Sequence, residues 1–205
     1  MSDDKHEPTN EPEKEQSQEP PEPAREAAGG YVAHVFSVLT RPDTVFDADH
    51  RIGKTNALID VCGFLVVFYI AAVVGRTFGY SGFDFEFGHI GHGLKSMLAI
   101  GIPIAALLFA QKWEGGRSNG KTSLDFYLEK FGAVLVLPCL LLIIAILLDI
   151  IDVRIQSWFR GMALVFVYIG VFGTTYAYAA PGKLKTAAIY LIGFYAVYRL
   201  LGLLF

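Results

Sequence analysis

Cysteine is scarce in this 205-residue sequence, with only Cys62 and Cys139 present. Both lie inside apolar stretches, at positions that suggest neither a disulfide framework nor a metal clip, so a disulfide scaffold is excluded. The patterns G-x-S-x-G, H-E-x-x-H and C-x-x-C are absent, so no familiar nucleophile–base arrangement is visible. No basic domain is present to bind nucleic acid. We therefore expect a protein that is not an enzyme and carries no cofactor.

Charged residues are rare in five long stretches of the chain. A helix needs about 20 mostly apolar residues to cross a hydrocarbon layer of about 30 Å. Backbone amides in lipid have no water to bind, so such stretches must be helical. Because 53% of the residues are hydrophobic, too little polar sequence remains to cover five such helices in a water-soluble fold. The sequence predicts an all-α integral membrane protein whose five transmembrane helices lie at about residues 57–75, 94–111, 131–149, 160–180 and 186–205.

The first 28 residues have the opposite character, with nine Asp/Glu, three Lys/Arg and five of the nine prolines. Such a segment buries too little apolar surface to offset its ordering entropy. Residues 1–30 are therefore predicted to form a disordered acidic tail. The rest of the chain carries 14 Lys/Arg against 11 Asp/Glu.

Residues 31–55 are predicted to be an amphipathic segment before the first span. Its apolar side chains recur at helical spacing, at Tyr31, Val32, Val35, Phe36 and Leu39. We expect this segment to lie at the cytoplasmic membrane interface. The alternative is that it packs under the helix bundle.

The distribution of Lys and Arg predicts the orientation, because cytoplasmic loops are enriched in these residues. With the N-terminus inside, nine flank the spans on the cytoplasmic side: Arg41, Arg51, Lys54, Lys112, Arg117, Lys121, Lys130, Lys183 and Lys185. Four lie on the opposite side: Arg76, Lys95, Arg154 and Arg160. The prediction is a cytoplasmic N-terminus and an outer C-terminus. No cleavable signal peptide is expected before the tail.

The segment Gly115–Thr122 matches the phosphate-binding pattern G-x-x-x-x-G-K-[ST]. A phosphate-binding loop of this type follows a buried strand, whereas a membrane span precedes this one. We therefore interpret it as a basic loop rather than a nucleotide site. Thr122 followed by Asp125 predicts a capped helix start in the same loop.

The loop between the first two spans offers four candidate metal ligands, Asp84, Glu86, His89 and His92. Imidazole and carboxylate groups together suit zinc or another transition metal. The alternative is an aromatic interfacial loop with exposed polar residues, which the neighbouring phenylalanines favour. No metal site is assigned.

Ionisable residues inside spans are expensive to bury and are functional candidates by default. Three stand out, namely Asp60 in the first span, Asp149 at the end of the third and Arg199 in the fifth. Arg199 and Asp149 are expected at similar depth, so we hypothesise an ion pair between them. The alternative is that Asp60 and Arg199 extend to opposite interfaces.

The order of these features resembles the Yip domain family of five-span membrane proteins, named for eukaryotic members that interact with Rab-type GTPases. The resemblance covers about residues 33–200. Leu39 and Pro42 with Phe46 look like an L-x-x-P-x-x-x-F segment seen before the first span in bacterial relatives. Gly132 and Pro138 look like the family's G-x(5)-P start of the third span, after a glycine-rich loop containing Gly115, Gly116 and Ser123. The basic turn Pro181–Lys185 fits the family's tight link between the last two spans.

The eukaryotic D-L-Y-G-P-F-W stretch is missing from this chain, so Rab binding and Golgi trafficking do not transfer. The resemblance implies a bacterial-type relative in the plasma membrane rather than in the Golgi or the endoplasmic reticulum. The sequence favours a non-enzymatic scaffold that contacts membrane lipids and other membrane proteins. The alternatives are a small transporter or channel component, and a membrane enzyme acting on lipid.

Overall fold

The structure is a computed structural model that describes residues 23–42, 46–47, 52–78, 83–119, 123–151 and 155–204. For residues 23–29, 118 and 119 it describes the backbone alone. Residues 1–22 of the predicted tail lie outside these ranges, as do Arg51, Lys121, Thr122 and Arg154.

Six helices account for most of the described residues. In chain order they are α1 (Pro23–Thr40), α2 (Lys54–Thr77), α3 (Phe87–Asn119), α4 (Leu124–Ile150), α5 (Gln156–Thr174) and α6 (Leu184–Leu204). A π-helical turn, Thr175–Ala179, extends α5. Five of these segments are long and apolar enough to cross a membrane, namely α2, α3, α4, α5 with its π-helical turn, and α6. The five predicted spans fall on these helices, which is consistent with a multi-pass membrane protein.

The five long helices form a closed ring in the order α2, α4, α5, α6, α3 and back to α2. Tyr190, near the start of α6, donates to the carbonyl of Ala110, near the end of α3, at 3.1 Å. The ammonium group of Lys54 lies 3.0 Å from the carboxylate of Asp125, so α2 and α4 begin side by side. Neighbouring helices are therefore antiparallel except for α2 and α4, which run parallel.

The parallel pair is also in close backbone contact. A Cβ placed on Gly132 in α4 would lie 2.9 Å from the carbonyl oxygen of Ala57 in α2. That distance is shorter than side chains tolerate, so glycine at position 132 allows the two helices to approach. Close approach through small residues is the usual way for apolar helices to associate in lipid.

The interior of the ring is apolar and is shared by all five long helices. Its buried members include Phe64, Ile100, Phe131, Leu135, Val167 and Phe194. The outer surface is apolar too. In the most apolar 18-residue stretch of α6, only 11% of the residues are buried within the protein, so the rest of this stretch faces outwards. A surface of this kind is unfavourable in water and is stable against hydrocarbon chains.

The helices extend further than the sequence predicts. α1 begins at Pro23, so this helix includes residues 23–30 of the segment whose sequence predicts an acidic tail. Proline suits the first helical position, and the alanines that follow favour a helix. α3 begins at Phe87 rather than near residue 94, because backbone hydrogen bonding does not stop where apolar sequence stops.

Candidate functional site

The two ends of the bundle carry different polar groups. The starts of α2, α4 and α6 lie at one end, which we call the α1 end because α1 packs there. The ends of these three helices, with the starts of α3 and α5, form the far end.

At the α1 end, the carboxylate of Asp60 is buried and is held by two residues of α1. Nε2 of His34 lies 2.9 Å from Oδ2 of Asp60, and both side chains are at least 95% buried. The hydroxyl of Tyr31 donates to Oδ1 of Asp60 at 3.0 Å. A carboxylate only accepts hydrogen bonds, so His34 carries a proton on Nε2. Asp60 therefore does not extend towards solvent, and that alternative for Asp60 is wrong.

Tyr31 is affected by this arrangement in turn. Burial raises the pKa of its phenol, and the charge of Asp60 and the hydrogen bond to it raise the pKa further. Each of these effects disfavours a second negative charge beside the carboxylate. The phenol consequently keeps its proton and remains a donor to Asp60 well into the alkaline range.

These contacts define which face of α1 meets the bundle. His34 and Val38 are buried, and Val38 packs against Ala133 and Val136 of α4. Of the predicted apolar side, Val32, Phe36 and Leu39 are exposed instead, with Phe36 at 66%. Thus α1 packs on the bundle through a mixed polar and apolar face, and the apolar side that the sequence predicts faces mainly outwards. A location at a membrane interface remains a prediction.

A buried cation lies near the same end. Lys130 is 2% exposed, and its ammonium group donates to the backbone carbonyl of Asp47. It also lies 5.4 Å from the ring centre of Tyr178 and 5.8 Å from that of Phe126. Both distances suit cation–π attraction. The sequence placed Lys130 among the cytoplasmic loop cations and gave no sign of its burial.

A polar cross-link joins α3 to α5 where the π-helical turn begins. The amide nitrogen of Gln111 donates to the hydroxyls of Thr174 and Thr175 at 2.8 and 2.9 Å. Each hydroxyl donates in turn to a backbone carbonyl one turn earlier in α5. Within the described atoms, Oε1 of Gln111 is buried and has no hydrogen-bond partner. The two threonines are therefore engaged in helix packing.

At the far end, Asp149 pairs with Arg160 of α5. Its carboxylate is 2% exposed and accepts from the Arg160 guanidinium, which also donates to the carbonyl of Ala71 at 3.2 Å. The hypothesis of an Arg199–Asp149 ion pair is therefore wrong. The order of helices in the ring explains this. Asp149 lies on α4, which packs beside α5 and its Arg160. Arg199 lies on α6, which packs against α3 and α5.

Gly75 makes room for this ion pair. A Cβ on Gly75 would overlap the guanidinium of Arg160. The guanidinium consequently lies directly against the α2 backbone, which is how it reaches Ala71 and Asp149 together. Any larger residue at position 75 would displace it.

Arg160 also lines a cavity of about 490 Å³ to which all five long helices contribute. We call it the far-end cavity. Its charged residues are Arg76 on α2, Lys95 on α3, Arg160 on α5 and Arg199 on α6, and none of the described residues that line it is acidic. Phe68, Leu142, Leu164 and Leu203 supply an apolar lining. The sequence predicts Arg76, Lys95 and Arg160 on one side of the membrane, but it does not indicate that they share a cavity with Arg199.

The candidate metal ligands lie at the far end of the bundle. His89 and His92 lie on the first turns of α3, and Asp84 and Glu86 lie in the segment before it. Nδ1 of His89 is 3.4 Å from the hydroxyl of Thr77, whereas His92 lines the far-end cavity. Across the described ranges, no three His, Cys, Asp or Glu side chains are grouped to hold a metal ion.

The segment with the phosphate-binding pattern belongs to a helix over its first five residues. Gly115–Asn119 form the last turns of α3, and a helix rather than a strand precedes them. The helix that follows begins one residue later than predicted. Ser123, not Thr122, is its N-cap, and its hydroxyl accepts from the backbone amide of Phe126 at 3.3 Å.

Comparison of the chain with protein-family models, with curated proteins and with solved structures gives no match.

Proposed function

We propose that this chain is a non-enzymatic integral membrane protein of the Yip-like type, which acts as a scaffold for other membrane proteins. The proposal rests mainly on one observation, the attachment of α1 to the bundle through buried Asp60. The five apolar helices supply the membrane-embedded body. The resemblance of residues 33–200 to the Yip domain family is part of the same proposal.

The attachment gives α1 a defined orientation. A helix tethered only by its C-terminal link could adopt many positions, whereas α1 is held by Tyr31, by His34 and by the packing of Val38. Leaving Asp60 buried without these partners would be strongly unfavourable. The helix is therefore a fixed part of the surface.

The outward side of α1 has the composition of a contact surface. Val32 and Phe36 are exposed and lie one helical turn apart, followed by Leu39. A partner helix that packs along this side would bury all three. The acidic residues 1–28 precede it, so the partner we propose is an apolar helix flanked by Lys or Arg.

Site-specific photo-crosslinking tests the proposal. A photoreactive phenylalanine analogue replaces Phe36 in full-length protein in native membranes, and the matched control replaces Phe109 on α3, which is 61% exposed. We expect one identified membrane protein to be captured from position 36 and not from position 109. The purified partner should then bind the wild-type protein in liposomes, and Asp60→Ala should weaken that binding.

Two outcomes would contradict a scaffold role. Adducts with lipid alone at position 36 would show that this side of α1 faces the bilayer. Selective solute flux through proteoliposomes of the purified protein would instead favour the transporter alternative.

A further inference from the structure

The far-end cavity brings together cations from four different helices. On α2 the lining residues recur at the spacing of one helical face, namely Phe68, Ala71, Ala72, Gly75 and Arg76. His92, Lys95, Ser96 and Ala99 show the same spacing on α3. The cavity is consequently a property of the folded ring, in which small residues leave space and long cations border it.

Three of the four cations have no ion-pair partner among the described residues. Arg160 is neutralised by Asp149. Within the described ranges, no ion pair joins Arg76, Lys95 or Arg199 to a carboxylate. Like charges that share one cavity repel each other, and the repulsion grows beside apolar walls, where the dielectric constant is low. An anion bound between them would remove this repulsion.

The donor set indicates the type of anion. Arginine offers a planar fork of N–H donors and lysine a compact ammonium group, and both bind phosphate oxygens well. His92 and Ser96 add further polar groups along the same wall. A volume of about 490 Å³ exceeds that of a phosphate ion and falls in the range of small-molecule binding sites.

The apolar lining points to an amphiphile. Phe68, Leu142, Leu164 and Leu203 would contact hydrocarbon and gain nothing from a free inorganic ion. We propose that the far-end cavity binds a phosphate-bearing anion, with an anionic phospholipid favoured over free phosphate. The phosphate lies among Arg76, Lys95 and Arg199, and the start of an acyl chain lies against the apolar residues. This site is separate from α1 and does not depend on the proposed scaffold role.

Native mass spectrometry of the purified full-length protein tests the proposal with phosphatidylglycerol and phosphatidylcholine of identical acyl chains. We expect one phosphatidylglycerol to be retained at a concentration at least about tenfold lower than phosphatidylcholine. Arg76→Gln/Lys95→Gln/Arg199→Gln should weaken that binding by a factor on the order of ten or more. The matched control, Lys112→Gln/Lys183→Gln/Lys185→Gln, removes three exposed cations from the α1 end and should bind as the wild type does.

A second variant tests whether lipid binding requires the space of the cavity rather than surface charge, because it leaves every cation in place. Gly202 lines the cavity and a Cβ there would meet nothing within 4 Å, so Gly202→Leu should fill the space while the chain still folds. We expect it to weaken phosphatidylglycerol binding. Thermal unfolding of each variant checks the fold.

Three results would overturn the proposal. Equal weakening by the two triple variants would mean non-specific attraction, and equal retention of the two lipids would remove the anion preference. Inorganic phosphate that displaces the lipid at similar concentration, together with unchanged binding by Gly202→Leu, would assign the site to a free anion and overturn the lipid assignment.

Discussion

Oδ2 of Asp60 on α2 lies 2.9 Å from Nε2 of His34, a residue 26 positions earlier that belongs to α1. The pair joins α1 to α2 through groups that are both almost fully buried. A buried carboxylate is tolerated only with such partners. The position of α1 and the burial of Asp60 therefore depend on each other.

The first prediction concerns the release of α1. Asp60→Ala removes the acceptor for both Tyr31 and His34, so we expect α1 to leave the bundle and expose its packed face. The measurement is maleimide labelling of Val38→Cys in a chain whose Cys62 and Cys139 are replaced by alanine. Val38 is 4% exposed, so labelling should be slow with Asp60 present and at least about tenfold faster without it, if the two hydrogen bonds contribute about 1.5 kcal/mol or more.

Phe36→Cys is the control for this measurement. Its position is exposed in the packed helix, so its labelling should be fast in both backgrounds. Slow labelling of Val38→Cys in the Asp60→Ala background would show that apolar packing alone holds α1.

The second prediction concerns alkaline pH. The pKa of Tyr31 is raised in the folded protein, from an ordinary value of about 10. Above about pH 10 the unfolded chain releases this proton while the folded chain retains it, so stability should fall as the pH rises further. Below that pH, Tyr31 contributes no pH dependence. Denaturant unfolding between about pH 8 and 11 measures the slope.

Tyr31→Phe should flatten that slope, because it removes the titrating group. Tyr195→Phe is the matched control, since Tyr195 is exposed on α6 and lies outside the Asp60 cluster, which consists of Asp60, Tyr31 and His34. If Tyr31→Phe and Tyr195→Phe change the slope equally, the effect does not come from the contact with Asp60.

The third prediction concerns the parallel helix pair. Gly132→Ala would place a methyl group against the backbone of Ala57, so α2 and α4 must separate. We expect the free energy of unfolding to fall by about 1–3 kcal/mol. Gly193→Ala on α6 is the matched control. Its Cβ would meet nothing within 4 Å, and alanine suits a helix better than glycine by about 1 kcal/mol. If Gly132→Ala left the free energy of unfolding unchanged, the backbones at Gly132 and Ala57 would be further apart than described.

The fourth prediction distinguishes Arg160 from Arg199 as the partner of Asp149. Arg160→Gln should lower the free energy of unfolding by about 3 kcal/mol or more, because it leaves the buried Asp149 carboxylate without its cation. In a chain that already carries Asp149→Asn, Arg160→Gln should cause a much smaller loss. A double-mutant cycle should therefore give a coupling free energy of about 1 kcal/mol or more between Asp149 and Arg160. For Arg199→Gln and Asp149→Asn, the change in the free energy of unfolding of the double variant should equal the sum of the two single changes. Strong coupling of Arg199 to Asp149 would restore the original hypothesis.

The fate of Asp149 and Arg199 illustrates what the sequence can predict. Uncharged runs predict the five long helices because the hydrocarbon thickness limits where charge is tolerated. They also place residues at approximate depths, and Asp149 and Arg199 do lie at the same end of the bundle. The uncharged runs do not predict where each helix lies around the ring, since this depends on which helices become neighbours. That arrangement is set by tertiary packing such as the contact of Gly132 with Ala57.

The Asp60 cluster and the far-end cavity could not be predicted for the same reason. His34 looks like one polar residue on a mostly apolar helix, and only the packing of α1 shows that it meets Asp60. Arg76, Lys95 and Arg160 were counted as separate loop or boundary charges, although the folded ring directs them to one cavity. Residue type and spacing identify a helix and its face, whereas convergence between helices requires the fold.

The partners of the buried Asp60 and Asp149 carboxylates lie close to them in the chain, which bears on how the protein is made. Synthesis proceeds from the N-terminus, so His34 has already left the ribosome when Asp60 emerges. Arg160 follows Asp149 by only 11 residues. Each of these two carboxylates can therefore meet its hydrogen-bond partner early in synthesis, without waiting for a distant part of the polypeptide.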